Sequence, residues 1–217
     1  MKKIFAYGKL ELDYLQSRDE ILGKFIDKIG FIERTINDDL FQSLVEAIVA
    51  QQISGKAAET VYHRLEELVD IITPENIITC SDLDLQKCGL SWRKVNYIKD
   101  FSLKILNKEL DLELIPTLPD DEVIKILDDL KGFGPWTAEM FLIFALGRKN
   151  VLSFNDFGIQ KGLRLLYHHR KITPALFAKY KKRYSPYATI ASFYLWEIAA
   201  GDYGLKDYQI RKNVKNK

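Results

Sequence analysis

Asp156 is the one acid in a stretch otherwise rich in cations. Between Gly147 and Tyr184 the chain carries ten Lys or Arg (Arg148, Lys149, Lys161, Arg164, Arg170, Lys171, Lys179, Lys181, Lys182, Arg183) and this single carboxylate. The stretch holds +9 and the remainder −7, for +2 overall. Such asymmetry is an electrostatic footprint for a polyanion, although solvated helix faces give the same run. Asp156 closes Ser153-Phe154-Asn155-Asp156 at the head of a helical pattern, where aspartate is a good N-cap. Capping and catalysis are compatible, because the dipole and free amides of a helix start favour an anion. A fixed anion stabilises positive charge that develops on a substrate as a bond to a leaving group breaks. It can also orient or deprotonate an attacking water.

The second group of chemical interest is Leu130-Lys131-Gly132-Phe133-Gly134-Pro135-Trp136-Thr137-Ala138. The run Asp121 to Leu130 is helical by pattern, with Val123, Ile126, Leu127 and Leu130 on one face. Gly132 breaks it, Gly134 allows a second sharp turn, and Pro135 suits the first position of a helix reaching Leu146 and ending at Gly147. Two glycines around one apolar residue let backbone approach a ligand closely, and the amides of the next helix start can take an anion such as a nucleic-acid phosphate. Taken alone, the spacing also fits a plain αα corner with Phe133 in the core.

Followed by Ser153 to Asp156, the segment resembles the helix-hairpin-helix DNA glycosylases, most closely the branch that removes alkylated purines (the 3-methyladenine glycosylase II type). Asp156 holds the place of that family's aspartate, twenty positions after Trp136. The likeness extends to Gln51-Gln52-Ile53-Ser54 upstream and to Pro186 through Trp196 downstream, covering nearly the whole chain.

The resemblance implies a monofunctional enzyme of base excision repair. It would flip an alkylated purine such as 3-methyladenine out of double-stranded DNA, hydrolyse its N-glycosidic bond and leave an abasic site. Asp156 would be catalytic. Trp136 stands where strand-cutting relatives carry a lysine nucleophile, and indole cannot form a Schiff base. Trp136 and Trp196 match pocket positions, with Tyr187 and Tyr194 as further candidates. Met140 stands where the best-known relatives have tyrosine, which alters the expected lesion range. The DNA-facing set implied is Lys131, Gly132, Phe133, Gly134 and Thr137, with Lys161, and with Gln52 as the side chain that fills the gap left by the flipped base. Carbonyls of Asp128, Leu130 and Phe133 would bridge a monovalent cation (Na⁺ or K⁺) to a phosphate; no cofactor is otherwise required. Rival readings are a non-catalytic helix-hairpin-helix DNA-binding module, a related glycosylase for oxidised purines or uracil, and a helix-turn-helix regulator.

The elements that must position these groups read as all-α. Ser17 with Glu20 forms a capping box for a helix closed by Gly30; Asn37-Asp38-Asp39, Ser54, Thr73-Pro74, Ser81, Ser91, Thr173-Pro174 and Ser185-Pro186 each open another. Val61, Leu65 and Leu68 read as inward. The first sixteen residues show no period and read as an ordered arm. Roughly ten helices are expected, in one domain (1–217) of two lobes. One lobe is 38–147, ending in the hairpin motif 121–147; the other is 1–37 plus 148–217, and the hairpin sits at the mouth of the cleft. An N-terminal β-domain is expected to be missing or vestigial. Cys80 and Cys88 are too few for an iron–sulfur cluster. With no signal-peptide core and no membrane-length apolar run, the expectation is a cytoplasmic monomer with reduced thiols. The basic tail from Lys206 to Lys217 is expected to fray.

Overall fold

The computed structural model describes residues 2–208, so residues 209–217 of the basic tail lie outside the described residues. In chain order the elements are β1 (Lys2–Ile4), α1 (Lys9–Arg18), α2 (Glu20–Ile29), β2 (Thr35–Asn37), α3 (Leu40–Val49), α4 (Gly55–Val69), α5 (Pro74–Thr79), α6 (Asp82–Lys87), α7 (Trp92–Leu106), α8 (Asp120–Asp128), α9 (Pro135–Phe144), α10 (Phe157–Tyr167), α11 (Pro174–Tyr184) and α12 (Ala188–Ala200), with a 3-10 turn at Ile115–Thr117. Among the described residues the architecture is therefore helical, apart from a two-stranded antiparallel ribbon that sets Lys3 opposite Ile36. Strands of three residues are too short to display the alternation by which a strand is read in sequence. No described helix is long and apolar enough to cross a membrane.

The chain divides into two compact units. The first comprises residues 2–5 and Thr35–Gly147. Here α3 packs on α4, α7 and α9, and α8 packs on α9. Leu44 and Ile48 of α3, Val95 and Ile98 of α7, Val123 and Leu127 of α8, and Leu142 of α9 are buried at the spacing of helical stripes. The second unit comprises Ala6–Arg34 and residues 148–208. Its centre is α10 against α12, with α2 packed on both.

Three sequence expectations are corrected. The first sixteen residues contain β1 and most of α1, whose sole buried residues are Glu11 and Leu15, so no apolar stripe announces the helix. The cap of α2 is Asp19, not Ser17: its carboxylate accepts from the Leu22 amide at 3.0 Å, the Tyr167 hydroxyl at 2.6 Å and Arg183 at 2.7 Å. Ser17 lies inside α1 and donates to the Tyr14 carbonyl. On α4 the inward residue is Val69, which continues Val61 and Leu65 at four-residue steps, while Leu68 is exposed.

The approach of α10 to α12 rests on Gly162. A methyl group there would overlap the Leu195 carbonyl oxygen and lie 2.9 Å from its carbon, both backbone atoms that cannot rotate away. Helix propensity alone makes Gly→Ala favourable by about 1 kcal/mol in a helix interior. Overpacking against backbone costs about 1–3 kcal/mol and opposes it. Gly162→Ala is therefore expected to lower the urea midpoint, measured by circular dichroism. An unchanged or raised midpoint would show that the two helices can separate at no cost.

Candidate active site

In the first unit, α8 and α9 are joined by the glycine-flanked turn. Gly132 has φ +90°, and a Cβ on it would lie 2.6 Å from Cε2 of Tyr97 on α7. Both backbone and space therefore require glycine. Phe133 is buried, edge-on to Phe101, which in turn meets Phe41 of α3. The apolar residue between the glycines is thus the anchor of the turn, fixing its backbone to the core. Gly134 precedes α9 and offers no side-chain cap, and Pro135 has no N–H. The cap residue itself therefore places no side chain over the first turn of α9, and a helix start of this kind suits an anion. Thr137 is buried in that turn, and Lys131 is exposed beside it in an ion pair with Asp100 at 2.7 Å.

Trp136 is 43% exposed, and Met140, half-buried, follows one turn later on the same face of α9. Gln52 is exposed at φ +59° in the connection between α3 and α4. Trp92, the first residue of α7, is exposed. A concavity of about 680 Å³ at α3 and α4 is lined in part by Glu46, Glu59 and Glu66, a poor seat for a phosphate backbone.

In the second unit the extended stretch leading to Asp156 is stitched to α12. The Thr189 amide donates to the Lys149 carbonyl at 3.0 Å, and its hydroxyl donates to Arg148 and accepts from the Val151 amide at 2.9 Å. Ser192 adds a bond to the Val151 carbonyl at 3.3 Å. Gln160 reaches back to the Phe154 carbonyl at 2.6 Å. Asp156, 7% exposed, then caps α10: Oδ1 accepts from the Ile159 amide at 2.8 Å. The same oxygen accepts from the indole N–H of Trp196 at 2.9 Å. Thr189, Ser192 and Trp196 recur at three and four residues, so one face of α12 holds both the approach to the carboxylate and the carboxylate itself. Two N–H donors on one oxygen fix the orientation of the group, as a catalytic carboxylate requires.

The structure thus brings Asp156 and Trp196 together. Tyr187 precedes α12 and packs edge-on against Tyr14, nine residues and roughly 13 Å of helix rise from Trp196. Tyr194 is fully buried, with its hydroxyl on the Gly30 carbonyl. Lys161 is put to a different use: its ammonium caps the end of α12 through the Ala199 carbonyl at 2.6 Å. Residues with no sequence signal for these jobs are Thr189, Ser192 and Tyr97.

Comparison with known proteins supplies the family. The family model described as "HhH-GPD superfamily base excision DNA repair protein" matches residues 45–186. DNA-3-methyladenine glycosylase 1 of Schizosaccharomyces pombe is 33% identical over 169 residues, covering 73% of this chain and 72% of the relative. The crystal structure of a DNA-3-methyladenine glycosidase from Bacillus halodurans superposes with a TM-score of 0.79 at 37% identity, covering 91% of this chain and 92% of that one. The S. pombe 3-methyladenine DNA glycosylase in complex with abasic DNA gives 0.79 at 26% identity, covering 93% and 100%. Together with the hairpin and the capped carboxylate, these matches place the chain in the HhH-GPD superfamily of base excision DNA repair proteins.

Proposed function

We propose that the chain is a monofunctional DNA glycosylase that hydrolyses the N-glycosidic bond of alkylated purines, 3-methyladenine among them, in double-stranded DNA. The observation that carries this reading is the buried Asp156 carboxylate, held by the Ile159 amide and the Trp196 indole. Its support comes also from the relatives, which bear the name DNA-3-methyladenine glycosylase.

A base stacked in a duplex is out of reach, so the target nucleotide is first extruded. Alkylation at a ring nitrogen makes the purine cationic and weakens its bond to the sugar. As that bond breaks, its electron pair leaves with the base and positive charge spreads over C1′ and the ring oxygen. Asp156 stabilises this charge electrostatically. Water then adds its oxygen to C1′ and gives up a proton, leaving a hemiacetal abasic site and the free base. The exposed indole of Trp136 supplies a π face for a cationic base, worth on the order of 0.5–2 kcal/mol per contact. It offers no amine for a Schiff base, so the sugar–phosphate strand stays intact. The hairpin grips one phosphate, which positions the duplex without reading sequence. A Na⁺ or K⁺ ion on the carbonyls of Asp128, Leu130 and Phe133 would strengthen that grip. The Leu130 carbonyl already accepts the Phe133 amide at 3.0 Å and has a second lone pair to offer. The protein works on DNA inside the cell, as a monomer.

The test is to incubate the protein with methylated duplex DNA and identify the bases released. Expected are free 3-methylated purines, strands that break only after heating in alkali, and no covalent adduct on borohydride treatment. Binding of abasic DNA with no base release would support the non-catalytic module instead.

A further inference from the structure

We propose that Gln51 is a positioning residue which couples the loop carrying Gln52 to the phosphate grip of the hairpin, so that the two engage a flipped-out site as one piece. This rests on the glycosylase reading above. Among the described residues, four other than glycine have positive φ: Gln52, Asp70, Lys108 and His168. Of these, Gln52 alone is flanked by a residue bonded to the hairpin. The Gln51 amide nitrogen Nε2 donates to the Gly132 carbonyl at 2.7 Å, across eighty-one positions of chain. That carbonyl belongs to the same peptide unit as the Phe133 N–H, which donates to Leu130 at 3.0 Å. The central peptide of the hairpin is thus pinned at both ends, and one pin is Gln51.

The other side of Gln51 is pinned as well. Its own carbonyl accepts from Nζ of Lys94 at 2.8 Å, and the same ammonium takes the Val49 carbonyl at 2.9 Å. Lys94, Tyr97 and Asp100 lie three residues apart along α7 and so share a face. Lys94 holds the Gln51 segment, Tyr97 lies against Gly132, and Asp100 pairs with Lys131. One helix face therefore supports both the Gln52 loop and the hairpin. A strained backbone such as that of Gln52 persists only where its surroundings over-determine it, and here they do. Its side chain is exposed, and its backbone is tied through Gln51 to the hairpin peptide. A duplex with a nucleotide displaced offers both a phosphate for the hairpin and a gap for Gln52. An intact duplex offers the phosphate alone.

The experiment compares affinities for a duplex with a tetrahydrofuran abasic analogue and for the same duplex intact, at one salt concentration. The protein should prefer the abasic duplex. In Gln51→Leu the affinity for the abasic duplex should fall roughly tenfold more than the affinity for intact DNA, as expected for one lost hydrogen bond. Lys94→Met, which frees the loop from its other side, should give the same pattern and serves if Gln51→Leu is unstable. In a Gln52→Ala background Gln51→Leu should have no further effect. Additive losses, or an equal loss on both duplexes, would overturn the coupling. A parent protein with no preference for the abasic duplex would instead overturn the glycosylase reading itself.

Discussion

Replacing Asp156 by asparagine is expected to slow base release about 10³-fold and to leave folding and DNA affinity nearly unchanged. A unit charge about 4 Å from a developing cation is worth about 4 kcal/mol at an effective dielectric near 20. Each 1.36 kcal/mol of barrier is tenfold in rate. The substitution isolates this term because the amide preserves the hydrogen bonds. Its oxygen can still accept from the Ile159 amide and the Trp196 indole, which now meet Asp156 Oδ1 at 2.8 and 2.9 Å. Asparagine is also as good an N-cap as aspartate, so the melting temperature should hardly move. The checks are single-turnover release of methylated purines, affinity for an abasic duplex, and thermal melting. Wild-type turnover in the variant would remove Asp156 from the chemistry. Loss of binding in step with rate would make it a structural residue.

The groups most legible in the sequence are those whose chemistry is local. Asp39, Ser54, Thr73, Ser81, Ser91 and Thr173 each cap the helix that follows through a bond three residues away, as their types and spacing indicate. Asp156 does the same, so its place at a helix start could be read before its role. The hairpin was legible for a related reason, since glycine and proline leave few local conformations open. What stayed hidden is long-range. Thr189, Ser192 and Trp196 stand on a helix buried nearly all round, so no apolar stripe marks which face meets the loop before Asp156. Gln51 and Gly132 are joined by a bond that no spacing rule reports. Gly158 and Gly162 look like helix weakeners in the sequence. In the fold they are the gaps through which α12 comes close.

The orientation of the carboxylate depends on one of those gaps. Gly158 is two residues past Asp156, and a Cβ on it would lie 2.7 Å from Cδ1 of Trp196, 3.3 Å from its Nε1 and 3.2 Å from Oδ1 of Asp156. Gly158→Ala should therefore drive the indole off the carboxylate, and the rate of base release should fall by about 10- to 100-fold. That range is what a hydrogen bond to a charged group is worth, about 1.5–3 kcal/mol. Trp196→Phe removes the same N–H while keeping an aromatic ring, and should cost a similar factor. The smaller ring also makes room for the added methyl. The double variant should then be no slower than Trp196→Phe alone, because both changes delete one interaction. Independent losses would multiply instead. Single-turnover rates of the four proteins close the cycle, and tryptophan fluorescence of Gly158→Ala reports whether the indole has moved. If the factors multiply, or if the indole shifts with no change in rate, then Trp196 contributes stacking surface alone and Asp156 is oriented by its helix.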